Sequence, residues 1–117
     1  MTQPILILSS CDSRDQGERI ARALVTERLA ACVSIVPGMA SVYRWQGTVE
    51  TASEHLLIIK TTLDRAREVE ERTSQLHSYD TPELLRISIQ GGSERYLAWL
   101  MSAVEEAGNA AAPEQTT

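Results

Sequence analysis

The sequence predicts an α+β fold in which the elements run βαββαβ, with one more helix at the C-terminal end. Three observations carry that prediction. Short apolar runs at Ile5-Leu6-Ile7-Leu8 and Leu84-Leu85-Arg86-Ile87-Ser88-Ile89 read as strands, and two stretches of helical periodicity lie between strand-like segments. Residues 33–61 read as one long β-hairpin turning at Gly47.

Ile5 to Leu8 is continuously apolar and ends at Ser9 and Ser10, the pattern of a strand buried on both faces. Ser13 with Gln16 resembles a capping box, and Ile20, Ala21, Leu24, Val25 and Leu29 recur at helical spacing while Glu18, Arg19, Arg22 and Glu27 face away. A first helix is expected from about Ser13 to Ala31. Val33-Ser34-Ile35-Val36 resumes strand character, Pro37-Gly38 interrupts it as a bulge or edge proline does, and Met39 to Trp45 continues it. Gly47 supplies the positive φ of a tight turn. From Thr48 to Thr61 an extended chain reaches roughly 45 Å at ~3.3 Å per residue, more than twice an ordinary strand, so this arm must project beyond its own domain.

Leu63, Ala66, Val69, Thr73 and Leu76 give a second amphipathic helix with Thr62 as its cap, ended before Pro82. The fourth strand follows. Gly91-Gly92-Ser93 then starts a third helix carrying Tyr96, Leu97, Leu100, Met101 and Val104. Residues 1–106 are expected to form a single domain, and 107–117, small and polar, a disordered tail. The order is that of the split-βαβ, ferredoxin-like arrangement, two helices on one face of an antiparallel sheet. Ile5 to Leu8 and Leu56-Leu57-Ile58-Ile59 are apolar on both faces, yet those helices cover only one. Leaving the other wet is costly at ~25 cal/mol per Å2, so a homo-oligomer with sheets packed face to face is expected.

Composition narrows the function. A chain of 117 residues, 43% apolar and 23% charged, is an ordinary globular domain. A net charge of −5 without a Lys/Arg block leaves no footprint for nucleic acid. No run approaches the ~18 apolar residues of a membrane span, and Met1 to Ser10 lacks the features of a signal peptide, so a cytoplasmic protein is expected. Cys11 and Cys32 form neither a CxxC pair nor a disulfide framework and read as reduced thiols.

The segments Leu29-Ala30-Ala31-Cys32-Val33, Val36-Pro37-Gly38, Ser41-Val42-Tyr43-Arg44-Trp45-Gln46-Gly47, Lys60-Thr61-Thr62 and Tyr79-Asp80-Thr81-Pro82-Glu83-Leu84 together resemble the CutA family of divalent-cation tolerance proteins, from about Ile5 to Val104. The resemblance implies a ferredoxin-like subunit, a homotrimer joined through the long hairpin, and an association with copper and other divalent cations. The family's copper has been linked to a cysteine ending the first strand and to a histidine and a glutamate of an H-P-Y-x-T-P-E-L segment. The matching positions are Ser9, His77 and Glu83, with Ser78 where proline is usual. Thiolate selects copper and a serine hydroxyl does not, so the pair His77 and Glu83 would be weak and unselective unless Cys11, two residues on, contributes.

Local readings stand beside these. His77 follows a helix and would suit its C-terminal end as an imidazolium, without any metal. Glu83 could bond to backbone or an arginine. Cys32 and His55 read as packing and interface residues, and Tyr43, Trp45, Val49, Leu57 and Ile59 as the trimer interface, aromatics on a protruding arm being more often buried against a neighbour than free to stack on ligands. No GxGxxG, GxxxxGK[ST], HExxH or GxSxG motif is present, and Ser9 to Arg14 lacks the glycines of an acylphosphatase-type loop, so no enzyme is expected. The leading reading is a homotrimer with a role in divalent metal-ion (copper) tolerance or binding. The alternative is a non-enzymatic trimeric signalling or small-molecule-binding protein with its ligand in inter-subunit clefts.

Overall fold

The computed structural model describes residues 2–105; the tail expected at 107–117 lies outside them. β1 (Pro4–Cys11), α1 (Arg14–Thr26), β2 (Cys32–Trp45), β3 (Thr48–Thr62), α2 (Ala66–Leu76), β4 (Leu85–Ser88) and α3 (Glu94–Ala103) follow one another as expected. The strands form one antiparallel sheet in the order β2-β3-β1-β4, the split-βαβ topology.

Strand alternation gives the sheet two unlike faces. Ile5, Ile7, Ser9 and Cys11 of β1 pair with Thr61, Ile59, Leu57 and His55 of β3, and this face is closed by α1 and α2 through Ile20, Leu24, Ala66 and Val69. Leu57 and Ile59, expected at a subunit interface, are 0% exposed in this internal core. Their neighbours Leu56 and Ile58 carry the opposite parity, with Leu6, Leu8, Val36, Leu85 and Ile87. An unbroken apolar run does not say which parity faces the helices, so either set fitted the sequence. α3 packs Leu100 and Val104 on Ala31 at one end of this second face, leaving Val36, Leu85 and Ile87 exposed.

Helix α1 stops at Thr26, short of Ala31, because Arg28 takes a left-handed conformation (φ 60°) and the amides of Leu29 and Ala30 both return to the Leu24 carbonyl. Leu29 to Ala31 are nevertheless buried, as a link turning into the sheet, which is why their spacing imitated helix. Ser13 Oγ accepts from the Gln16 amide as a cap should, but the Gln16 side chain does not return to Ser13. The Thr62 hydroxyl donates to the Asp64 carboxylate, and a 3-10 turn over Leu63–Arg65 precedes α2.

The hairpin is as long as the sequence requires. β2 and β3 pair from Cys32↔Lys60 to Trp45↔Thr48, with a bulge between Val36 and Met39 where Gly38 takes φ 74°. Gln46 and Gly47, at φ 48° and 85°, make the turn with both central residues left-handed. Since β1 ends at Cys11↔His55, everything beyond is a two-stranded ribbon.

Gly17 brings α1 close to the sheet: a Cβ there would lie 3.2 Å from both Cys11 Sγ and Leu57 Cδ2, atoms of side chains that are fully buried. Gly17→Ala is therefore expected to destabilise by about 1–3 kcal/mol, the usual cost of overpacking. Thermal denaturation checks this, and an unchanged midpoint would mean that the helix shifts freely.

Candidate functional site

Position 10 is where the two faces of the sheet meet the loop after α2. Ser10 follows Ser9 on a strand, so the two side chains point to opposite faces. The Ser10 carbonyl faces His77 Nε2 at 2.6 Å, and His77 Nδ1 lies 3.0 Å from the Tyr79 amide nitrogen. A carbonyl accepts and an amide N–H donates, so Nε2 carries the proton, Nδ1 accepts, and the buried ring is neutral.

Gln16 secures the same loop. Its Nε2 donates to the Leu76 carbonyl at 3.1 Å and its Oε1 accepts from the Ser78 amide at 3.0 Å, ending α2 and fixing the chain on either side of His77. A capping reading of Gln16 could not show this, because its partners lie some sixty positions along the chain.

From there the loop turns over the hairpin. Tyr79 packs on the His77 ring with centroids 4.7 Å apart, and its hydroxyl donates to Glu54 Oε2 at 3.0 Å. Glu54 sits on β3 on the parity of Leu56 and is only 9% exposed. A cavity of about 410 Å3 lies between loop and ribbon. Its walls are Tyr43 and Trp45 from β2, Glu54 and Ser10 from the sheet, and Tyr79 to Thr81 with Glu83 from the loop. Burial and the Glu54 carboxylate push the Tyr79 phenol up to about 12. Tyr79 and Glu54 were not singled out from the sequence; the one available signal was a glutamate two residues ahead of an apolar strand run.

The residues expected to hold a metal are placed apart. Both ring nitrogens of His77 are engaged, leaving no lone pair for an ion. Cys11 is fully buried, its Sγ–H donates to the Ser13 carbonyl at 3.3 Å, and burial raises its thiol pKa, disfavouring the thiolate. Ser9 is enclosed on the helix-covered face, its hydroxyl without a partner among the described residues. Glu83 alone is exposed, at the cavity. Among the described residues no three His, Cys, Asp or Glu side chains gather where they could hold one ion, and these donors do not fit a copper-thiolate centre. Tyr43, Trp45 and Val49 are exposed on the ribbon. His77 is the residue that ends α2, and both of its ring nitrogens bond outside that helix, to the Ser10 carbonyl and the Tyr79 amide.

A family model described as CutA1 divalent ion tolerance protein matches residues 5–103. The chain belongs to the CutA1 family. It is 46% identical over 95 residues to the divalent-cation tolerance protein CutA of Thermus thermophilus, covering 81% of this chain and 92% of that one. It is 43% identical over 99 residues to the chloroplastic protein CutA of Arabidopsis thaliana, covering 85% of this chain and 54% of that one. The chain thus spans about half the length of the plant relatives it matches. The crystal structure of CutA from Xylella fastidiosa superposes with a TM-score of 0.86 at 40% identity, covering 88% of this chain and 99% of that one. Relatives are described from different compartments, chloroplastic in Arabidopsis and periplasmic in Archaeoglobus fulgidus, and no described helix of this CutA1 chain is long and apolar enough to cross a membrane.

The Tyr79–Glu54 contact has a pH signature. The folded phenol holds its proton to about 12 against an ordinary value of 10, so its stabilising contribution is complete below pH 10 and is lost as pH rises from 10 through about 12. Spectrophotometric titration of the phenolates should show one late tyrosine, absent in Tyr79→Phe. A Tyr79 phenol that lost its proton at its ordinary value of 10 would contradict the buried contact.

Proposed function

We propose that this chain forms a homotrimer and serves in divalent-cation tolerance as a weak, oxygen-based cation binder, not as a copper-thiolate site. The observation that supports assembly most strongly is the ribbon beyond Cys11↔His55. A two-stranded hairpin is marginal alone in water, and this one exposes Trp45 to 60% and Val49 to 65%, next to the open face with Val36, Leu85 and Ile87. Burying half-exposed side chains of that size is worth on the order of 1 kcal/mol each. Neighbouring subunits that lay their ribbons across one another's open faces would recover it. Three subunits rest on the family.

For the ion, the accessible donors are carboxylates, Asp80 and Glu83, which suit hard divalent cations and bind them loosely without a cage. His77 acts by holding the loop that carries them. The free thiols fit a reducing, cytoplasmic compartment. A second reading, a small molecule held in a cleft that a neighbour closes, is favoured by the aromatic-walled cavity itself.

Calorimetric titration with copper and zinc should give weak heats that fall when Glu83 is replaced by Gln, while the native His77 ring contributes no ligand. Negligible heats with every ion would overturn the cation reading, and strong copper binding abolished by His77→Ala would overturn the geometry. Trp45→Ala should lower thermal stability and promote dissociation on dilution before it alters ion binding. Unchanged stability and subunit count in that variant would show that the arm stands free.

A further inference from the structure

Glu54 presents an electrostatic problem. The residue as a whole is nine-tenths buried, yet among the described residues no Lys, Arg or His lies within ion-pair distance of its carboxylate. Its single side-chain hydrogen bond is the one that Oε2 accepts from Tyr79; Oε1 has no hydrogen-bond partner among the described residues. Burying a charge without a counter-charge is costly. The cavity that Glu54 lines contains no basic side chain and adds Asp80 and Glu83 at its border, so its field attracts cations.

The rest of the lining selects among cations. Tight binding of a divalent metal ion needs several oxygen ligands converging on one point; among the described residues no such cluster gathers, so Asp80 and Glu83 offer it only the loose binding proposed above. Tyr43, Trp45 and Tyr79 instead offer ring surfaces, which desolvate hydrocarbon and attract organic ammonium groups through their π faces. The volume of about 410 Å3 accommodates a small organic molecule. Tyr79 is anchored at both ends, amide to His77 and hydroxyl to Glu54, so one wall is set before a ligand arrives.

We propose that the cleft between the ribbon and the 79–83 loop binds a primary alkylammonium ion, its charged end on the free oxygen of Glu54 and its hydrocarbon against Tyr43 and Trp45. This rests on the cleft reading above and adds the ligand's chemical class. The proposal requires that a neighbouring subunit covering the ribbon leave the space between Trp45, Tyr43 and Glu54 unfilled. An arginine or lysine from a neighbour placed on Glu54 is the competing arrangement.

The experiment uses the full chain carrying Trp99→Phe, a change in α3 away from the cleft, so that Trp45 is the sole tryptophan fluorophore. Titration with n-butylammonium should shift Trp45 emission saturably, whereas 1-butanol, of similar size and uncharged, should bind roughly tenfold more weakly or worse. Glu54→Gln, which keeps the shape and can still accept from Tyr79, should weaken the ammonium by roughly tenfold and leave 1-butanol unaffected. Should that variant fold poorly, Asp80→Asn with Glu83→Gln, both exposed, should lower ammonium affinity a few-fold and reduce its salt dependence. Equal binding of the amine and the alcohol would overturn the ligand class while leaving a cleft that takes small molecules. Silence from both probes would overturn the cleft as well, as expected if a neighbour's side chain occupies it. Binding unchanged in Glu54→Gln and in the double variant would overturn the assigned contact.

Discussion

The structure depends on a mismatch of strand lengths. β3 runs 15 residues and β2 runs 14, whereas β1 runs 8 and β4 only 4. Over the stretch they share, the strands make an ordinary sheet with helices on one side. Past His55 the two long strands have only each other, and the ribbon they form lacks the third strand or helix that would make it stable by itself. The exposed side chains of the ribbon and the uncovered apolar parity of β1, β3 and β4 are two halves of one unmet requirement. The proposed assembly with copies of itself would meet both at once.

The same mismatch makes the cleft. Where β1 stops, the loop after α2 crosses the end of the sheet, held by Gln16 to the end of α2 and by His77 to the Ser10 carbonyl. Tyr79 then reaches Glu54 on the strand that continues outward. Helix packing, strand termination and the buried carboxylate are therefore linked by a short series of hydrogen bonds. The charged groups elsewhere are of another kind: Arg72 with Glu27 and Arg86 with Glu70 are surface pairs that tie elements together, Arg14 with Glu18 is a pair within α1, and none creates a site.

Much of the fold was legible in the sequence because periodicity and turn chemistry are local. The bulge at Pro37-Gly38, the turn at Gly47 and the alternation of strands and helices all follow from residues within a few positions of one another. The end of α1 was hidden because Arg28, not glycine, takes the left-handed position. The parity of Leu57 and Ile59 was hidden because an apolar run carries no alternation. At the site, Glu83 and the two ribbon aromatics were visible as candidates, but the state of His77 was not. Its partners are a backbone carbonyl on a distant strand and an amide whose position is set by the fold, and neither leaves a trace in residue spacing. Cys11, offered as a ligand in place of the cysteine missing at Ser9, is buried with Ser9 in the sheet, which spacing alone does not show.

Light scattering on the purified chain over a wide range of dilution tests whether the overhanging ribbon and the open sheet face are assembly surfaces. A mass near three times the 12.9 kDa subunit is expected, persisting at low concentration and independent of added divalent cations. A stable, folded monomer at 12.9 kDa would contradict it.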